Sequence, residues 1–292
     1  MRLLVTGGSG FLGGYVLREA ARRGHQSVGL ARSAAAAAAV AGRGAEPLTG
    51  DLDEAVQLAE IFAAARCDAL VSLASLGFGH GPAIVAAAQQ AGIRRAIFVS
   101  STAVTTTLAA PTKRVRLAAE QGIRDCGLDW TILRPTMIYG APGDRNLSRL
   151  LALLTRAPML PVPGGGRSLQ QPVHVADVAG AILAAAELPG TAGSCYDVAG
   201  PEPHAFAELL HICARAVASR TRFVPVPLTP LVAMVRGYEQ LSRRPRISAE
   251  QLLRLAEDKV FAIQDAQRDL CYAPRPFAAG IRSEAQAMGL GP

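Results

Sequence analysis

The sequence points to a doubly wound α/β fold: a parallel sheet with helices on both faces, joined to a small, mostly helical C-terminal lobe. Three features carry that expectation. The apolar run Leu3-Leu4-Val5 breaks into a glycine-rich turn, Gly7-Gly8-Ser9-Gly10-Phe11-Leu12-Gly13. That turn opens into a segment with Val16, Leu17 and Ala20 at helical spacing. Further on, Leu70, Val71, Leu73 and Ala74 form an almost continuously apolar strand, as suits a parallel strand buried on both faces.

In the first turn each glycine has a physical job. Gly7 allows a tight bend, Gly10 lets the backbone approach a pyrophosphate, and Gly13 lets the helix pack close to the strand. Backbone N–H groups and the positive end of the helix dipole favour an anion there. Gly7, Ser9, Gly10, Phe11, Leu12 and Gly13 are therefore the expected grip on a dinucleotide. The spacing Gly7-x-x-Gly10-x-x-Gly13 after Thr6 resembles the short-chain dehydrogenase/reductase superfamily, above all its extended, NAD-dependent epimerase/dehydratase-like branch. The resemblance implies a Rossmann nucleotide domain.

Residues 25–31 read as the second strand. An acid at its end would bind the ribose hydroxyls of NAD and repel a 2′-phosphate. This chain has Arg32 and then Ser33. Arginine offers charge and a fork of donors to phosphate, so NADP(H) is expected over NAD(H). The plainer alternative is a solvent-facing arginine. Residues 34–39 are an alanine run, read as a short surface helix. A third strand and turn follow at 47–52; Asp51-Leu52 resembles the family's adenine-contacting pair, and a helix cap by Asp51 or Asp53 is the alternative.

Residues 68–75 read as the fourth strand, whose end, Leu73-Ala74-Ser75, is expected beside the pyrophosphate and nicotinamide ribose. The loop Gly77-Phe78-Gly79-His80-Gly81 reads as mobile or closely approached, with His80 a surface histidine rather than a substrate contact. A helix at 83–91 and a strand at 96–99 lead to Ser100-Ser101-Thr102-Ala103-Val104. This resembles the family's Ser-Ser-x-x-Val segment. The resemblance places Ser100 at the cofactor and Ser101 at the catalytic serine position, where the hydroxyl donates to the substrate oxygen. Two hydroxyls closing a strand-end turn are the alternative.

The family's proton chemistry needs Tyr-x-x-x-Lys on the next helix, because positions four apart share one face. Here Thr112-Lys113-Arg114-Val115-Arg116-Leu117-Ala118-Ala119-Glu120 aligns on the family's Lys-Leu-x-x-Glu ending. Thr112 then stands for the tyrosine and Arg116 for the lysine. Arg116 can still hold ribose hydroxyls, but a threonine hydroxyl is far too weak an acid to replace a phenol. Residues 128–133 read as the sixth strand. Arg134-Pro135-Thr136-Met137-Ile138-Tyr139-Gly140 resembles the branch's segment passing the nicotinamide, with Pro135 and Ile138 lining that end and Tyr139 structural.

Gln170-Gln171-Pro172-Val173-His174-Val175-Ala176-Asp177-Val178-Ala179 resembles another family stretch. Asp177 is expected to cap a helix over 178–187, and His174 to pack structurally. A strand at 196–199, a helix through Phe206, Leu209, Leu210 and Cys213, and an extended piece at 223–227 come next. An apolar helix at 230–241 and a capping box at Ser248-x-x-Gln251 complete the pattern. The apolar helix reads as ordinary core packing, a lid over an apolar substrate or a lipid contact being the alternative. Gln171-Pro172-Val173, Leu255-Ala256-Glu257-Asp258-Lys259-Val260-Phe261 and Ala273-Pro274-Arg275-Pro276-Phe277 resemble an atypical group related to the dinucleotide-binding accessory subunit of respiratory complex I.

The expected division is 1–140, rejoined by 173–199, as the dinucleotide domain, with 141–172 and 200–292 as the substrate lobe and substrate in the crevice between them. The 292 residues carry a formal charge of +7, scattered except at Lys113-Arg114-x-Arg116 and Arg243-Arg244-x-Arg246. Solvated helix faces, not nucleic acid, account for such a pattern. Five cysteines without metal spacing read as buried thiols in a reducing cytoplasm, and neither a signal peptide nor a spanning run of about 18 apolar residues is recognised. The expected partner is a small molecule, apolar or lipid-like; the sequence does not set the oligomeric state. Two functions remain open: an NADP(H)-dependent oxidoreductase or epimerase-like enzyme with an atypical proton donor, and a non-catalytic dinucleotide-binding subunit or redox sensor.

Overall fold

The computed structural model describes residues 1–292 except 109–110, 142, 243–247 and 292. The basic group Arg243-Arg244-x-Arg246 lies outside the described residues. The chain divides into two compact units, residues 1–136, 175–199 and 262–273 in one, 137–174, 200–261 and 274–292 in the other.

The first unit is built on a seven-stranded parallel sheet. Its strands are β1 Arg2–Thr6, β2 Gln26–Ala31, β3 Glu46–Thr49, β4 Ala69–Ser72, β5 Arg95–Val99, β6 Asp129–Pro135 and a final strand, Ser194–Val198. The order β3-β2-β1-β4-β5-β6, with the final strand beyond β6, is the doubly wound Rossmann order. The register sets Leu4 of β1 beside Val28 on one side and Leu70 on the other, all three buried. Continuous apolarity in these strands thus reflects burial on both faces.

Helices α1 Phe11–Arg22, α2 Ala34–Ala41, α3 Ala55–Ala65, α4 Gly81–Gln90 and α5 Pro111–Arg124 connect the strands. The α3–α4–α5 row covers one face, and α1 packs against helix Val175–Glu187. The alanine run of α2 buries only Val40, whose methyls fill the space a Cβ on Gly29 would need, 2.6 Å away. Arg95 ties the lower ends of the strands together, donating to Asp129 O at 2.6 Å and to the Thr131 and Thr191 hydroxyls at 2.7 Å each.

Several boundaries differ from the sequence reading. β4 ends at Ser72, because Ser75 Oγ accepts from Gly77 N at 3.3 Å and turns the chain into a short 3-10 turn, Leu76–Phe78. Neither Asp51 nor Asp53 caps α3; Glu54 stands at the cap, and Asp51 Oδ1 accepts from Asp53 N at 3.2 Å. The helix expected to follow Asp177 begins at Val175, with Asp177 in its first turn. Residues 262–273, expected with the C-terminal lobe, pack in the first unit, where Tyr272 Oη donates to Ala199 O at 2.7 Å. Of the cysteines only Cys213 is fully buried, while Cys271 is exposed and the other three are half-buried.

The second unit is mostly helical: Leu147–Leu154, Phe206–Ala216, Leu228–Leu241, Ala249–Ala256 and Phe277–Ala287. Short strands brace it. Met159–Pro163 pairs with Arg222–Val226, and Leu169–Gln170 with His204–Ala205. Ser248 and Gln251 form the expected capping box. Tyr139 is 1% exposed, packed edge-on to His174 and Phe277, and its hydroxyl fills the space over Gly280, where a Cβ would lie 2.1 Å away. The Gln170–Gln171 stretch and the 255–261 stretch hold each other. Gln170 Nε2 donates to Glu257 O at 2.9 Å, Phe261 N to Gln171 Oε1 at 2.9 Å, and Lys259 N to Leu169 O at 2.7 Å. Among the described residues no helix is long and apolar enough to cross a membrane.

Candidate functional site

The residues singled out in the first unit gather at the carboxyl ends of its parallel strands. After β1 the chain bends at Gly7, whose φ of +73° is a conformation that side chains disfavour. Gly10 N donates to Gly7 O at 3.0 Å, closing the turn. A Cβ on Gly13 would lie 2.3 Å from Gly7 O and 2.7 Å from Gly8, so only glycine fits between helix and loop. Gly10 caps α1 without a side chain, which leaves the first-turn amides at Phe11 and Leu12 as donors. Such a turn with free first-turn amides fits a diphosphate, and the residues present are compatible with a dinucleotide.

Arg32 follows β2 and is exposed. Ser33 Oγ accepts from Ala36 N at 3.2 Å and so caps α2, a role the sequence reading did not assign. Arg43 was also missed. Its Nη1 donates to Gly8 O at 2.5 Å and Gly10 O at 3.1 Å, laying a guanidinium along the back of the glycine turn. Burial, with the nearby Arg18 charge, pulls its pKa down. The only sequence signal was its position as the next cation after Arg32, flanked by Gly42 and Gly44.

Asp51 and Leu52 follow β3, and Leu73, Ala74 and Ser75 follow β4, all half-buried. Beyond β5, Ser100 is buried and its N–H donates to Leu133 O at 2.8 Å. Ser101 Oγ accepts from Ala103 N at 3.2 Å, which closes a strand-end turn and leaves its proton free to donate. On α5, Arg116 Nη1 donates to Thr112 Oγ1 at 2.8 Å, so the two replacements sit on one face as the four-residue spacing requires. The Arg116 guanidinium lies over Gly77, where a Cβ would be 3.1 Å away. Among the described residues Ser101 and Thr112 share no hydrogen bond. Pro135 ends β6 in this unit, whereas Ile138 belongs to the second unit and pairs with Val173.

His80 pairs with Asp53 at 3.6 Å, in keeping with a surface role. Lys113, unremarked in sequence beyond its charge, donates to Thr106 O at 2.5 Å. The α5 face is fixed by Glu120, fully buried, which accepts from Arg134 Nε at 3.0 Å and Nη2 at 2.5 Å and from Arg124 at 2.9 Å. Burial alone would raise the Glu120 pKa, but the Arg134 and Arg124 bonds hold it below its ordinary value. Burial pushes the thiols of Cys67 and Cys213 up to about 11 and about 12, so neither is a nucleophile near neutrality. Among the described residues no group of three or more His, Cys, Asp or Glu could hold a metal ion.

Comparison with known proteins agrees with this geometry. Residues 7–189 match the model of an NAD(P)H-binding family. Over 155 residues, 52% of this chain, the sequence is 32% identical to NADH dehydrogenase [ubiquinone] 1 alpha subcomplex subunit 9, mitochondrial, of Arabidopsis thaliana, covering 38% of that protein. The chain thus spans about two fifths of that relative's length. It is 28% identical to a 4-hydroxy-2-methyl-3-oxo-4-farnesyl-3,4-dihydroquinoline-1-oxide ketoreductase of Stigmatella aurantiaca, over 94% of this chain and 92% of that one. It is likewise 28% identical to a 2-alkyl-3-oxoalkanoate reductase of Stenotrophomonas maltophilia, over 94% and 95% of the two chains. Among solved structures, gox2253 superposes with a TM-score of 0.80 at 22% identity, covering 98% of this chain and 97% of that chain. UDP-glucose 4-epimerase from Thermotoga maritima superposes at 0.77 with 16% identity, covering 99% of each. The chain belongs to the NAD(P)H-binding family, and it shares its fold with the solved epimerase.

Proposed function

We propose that this protein is an NADP(H)-dependent oxidoreductase that acts on a small apolar or lipid-like carbonyl compound through an atypical proton donor. The observation that carries the reading is the glycine cradle with its two arginines, Arg43 on the loop carbonyls and Arg32 at the exposed tip of β2. Gly7 to Gly13 hold the diphosphate through backbone amides. Arg32 and Ser33 take the 2′-phosphate, Asp51 and Leu52 the adenine, and Leu73 to Ser75 with Ser100 the nicotinamide ribose side. Arg116 holds ribose hydroxyls, while Pro135 lines the nicotinamide end. Bound nicotinamide supplies the hydride. Ser101 donates to the substrate oxygen, and the Thr112 hydroxyl, oriented by Arg116, orders the water that delivers the proton. The two reductase relatives, matched over more than nine tenths of this chain, are named for oxo compounds that carry a farnesyl or an alkyl chain, which supports that substrate class.

The replacement of tyrosine by Thr112 and lysine by Arg116 favours a second reading, a dinucleotide-binding subunit without turnover. Fluorescence titration with NADPH and NADH, followed by a screen of alkyl ketones, keto acids and nucleotide sugars for NADPH consumption, separates the two. NADPH is expected to bind about ten- to a hundredfold more tightly than NADH, the difference expected of charge-assisted bonds to a 2′-phosphate. Equal affinities remove the role given to Arg32. Binding without consumption of NADPH by any carbonyl compound selects the subunit reading.

A further inference from the structure

Arg43 stands outside every motif of the sequence, yet its guanidinium lies against the glycine turn. The bend after α2 brings it there. Arg43 N donates to Val40 O at 3.0 Å, and Gly44, at a φ of +80°, reverses the chain toward β3. Arg43 Nη1 then meets two carbonyls of the loop, Gly8 O at 2.5 Å and Gly10 O at 3.1 Å.

A peptide unit is planar and trans, so its C=O and N–H point in opposite directions. A cation that draws the Gly8 and Gly10 carbonyls to one side of the loop therefore turns the N–H groups of Ser9 and Phe11 to the other. Gly10 O also accepts from Gly14 N at 3.1 Å, which restrains the second of these planes twice. Among the described residues neither Ser9 N nor Phe11 N donates to the protein. Amides aimed to one side form an anion nest, and a loop already held in that form loses no affinity to its own ordering.

Gly14 supplies a second, independent observation. It lies inside α1, where glycine is the least favourable residue after proline. A Cβ there would lie 2.8 Å from the Arg43 guanidinium carbon and 2.9 Å from its Nε. The helix thus carries a costly residue at the place where the guanidinium is seated.

We infer that Arg43 is a positioning residue for the dinucleotide: it holds the glycine turn from behind, so that the Ser9 and Phe11 N–H groups face the diphosphate. Arg43 acts through the loop and so serves NADPH and NADH alike, whereas Arg32, as proposed above, serves NADPH alone. The inference rests on the dinucleotide reading above, but on neither turnover nor the choice of NADP over NAD.

The test titrates the full chain with NADPH and with NADH. Arg43→Met should weaken both by one factor, about tenfold or more, the share of a hydrogen bond to a charged group, and leave their ratio unchanged. Gly14→Ala favours the helix and takes the seat of the guanidinium. It should weaken both nucleotides in the same way, while the thermal midpoint of the nucleotide-free protein does not fall. In amide NMR spectra without nucleotide, the Ser9 and Phe11 signals should broaden in Arg43→Met, and those of Leu4 and Leu70 should keep their positions. Undiminished affinity in Arg43→Met overturns the inference. A loss confined to NADPH overturns it as well, because Arg43 is then a contact to the 2′-phosphate. Equal affinity of the unaltered chain for the two nucleotides removes only the role given to Arg32. Binding of neither removes the dinucleotide reading and this inference together.

Discussion

Thr112 stands where a phenol is expected on α5, and Arg116 one turn on donates to its hydroxyl at 2.8 Å. That bond orients the hydroxyl without making it acidic, so any proton it passes comes from water. Thr112→Val keeps the shape and removes the oxygen. Cofactor affinity should stay within about twofold while turnover of a carbonyl substrate falls about tenfold to a hundredfold, the usual share of a general acid. Steady-state kinetics beside an NADPH titration checks this, and unchanged turnover excludes Thr112 from the proton path. Gly13 belongs to the same scale. Its distance to Gly7 O leaves no room for even a methyl group, so its requirement is steric and independent of the ligand.

At the scale of elements, α5 is held to β6 by one buried carboxylate. Glu120 meets Arg134 from β6 and Arg124 from its own helix. Breaking such a pair leaves buried charge uncompensated, so Glu120→Gln should destabilise the protein by about 3 kcal/mol. Because the folded pKa of Glu120 is depressed, this contribution is complete above the unfolded value of 4.5 and is lost as pH falls through the folded value. Urea unfolding of both proteins across acid pH should show the gap closing toward low pH.

Helix Phe277–Ala287 carries the opposite case. Glu284 is 1% exposed, and neither of its oxygens has a hydrogen-bond partner among the described residues. Burial, then the Asp144 charge, raises its pKa from 4.5 to about 8. Between those values the unfolded carboxyl is ionised and the folded one protonated, so the folded state binds the extra proton. Stability should therefore fall as pH rises through this window, by up to about 1.4 kcal/mol per pH unit. Glu284→Gln should flatten the decline in a chemical-denaturation series. An unchanged slope would show that Glu284 does not titrate there.

Over the whole molecule, what the sequence made legible was what local chemistry decides. The glycine turn, the apolar strands, the Ser248 capping box and the spacing of Thr112 and Arg116 each depend on neighbours a few residues away. The doubly wound parallel sheet followed from the chain's alternation of strands and helices, while the order of its strands came from the structure. Contacts that fold together distant stretches were not legible. Nothing near Arg43 announces that it reaches back to Gly8 and Gly10, and Glu284 reads as an ordinary polar residue until its burial is known. Asp51 and Glu54 show the limit within a single turn, where the better capping residue by type is not the one at the cap.

The mutual hold between Gln170–Gln171 and residues 255–261 has a consequence for motion. Stretches some 85 to 90 residues apart share their backbone partners, so neither can open while the other stays closed. In native-state deuterium labelling the amides of Leu169, Lys259 and Phe261 should lose protection with one common free energy, as a single cooperative foldon. Gln171→Ala should lower that shared value and leave the amides of β1 and β4 at the global one.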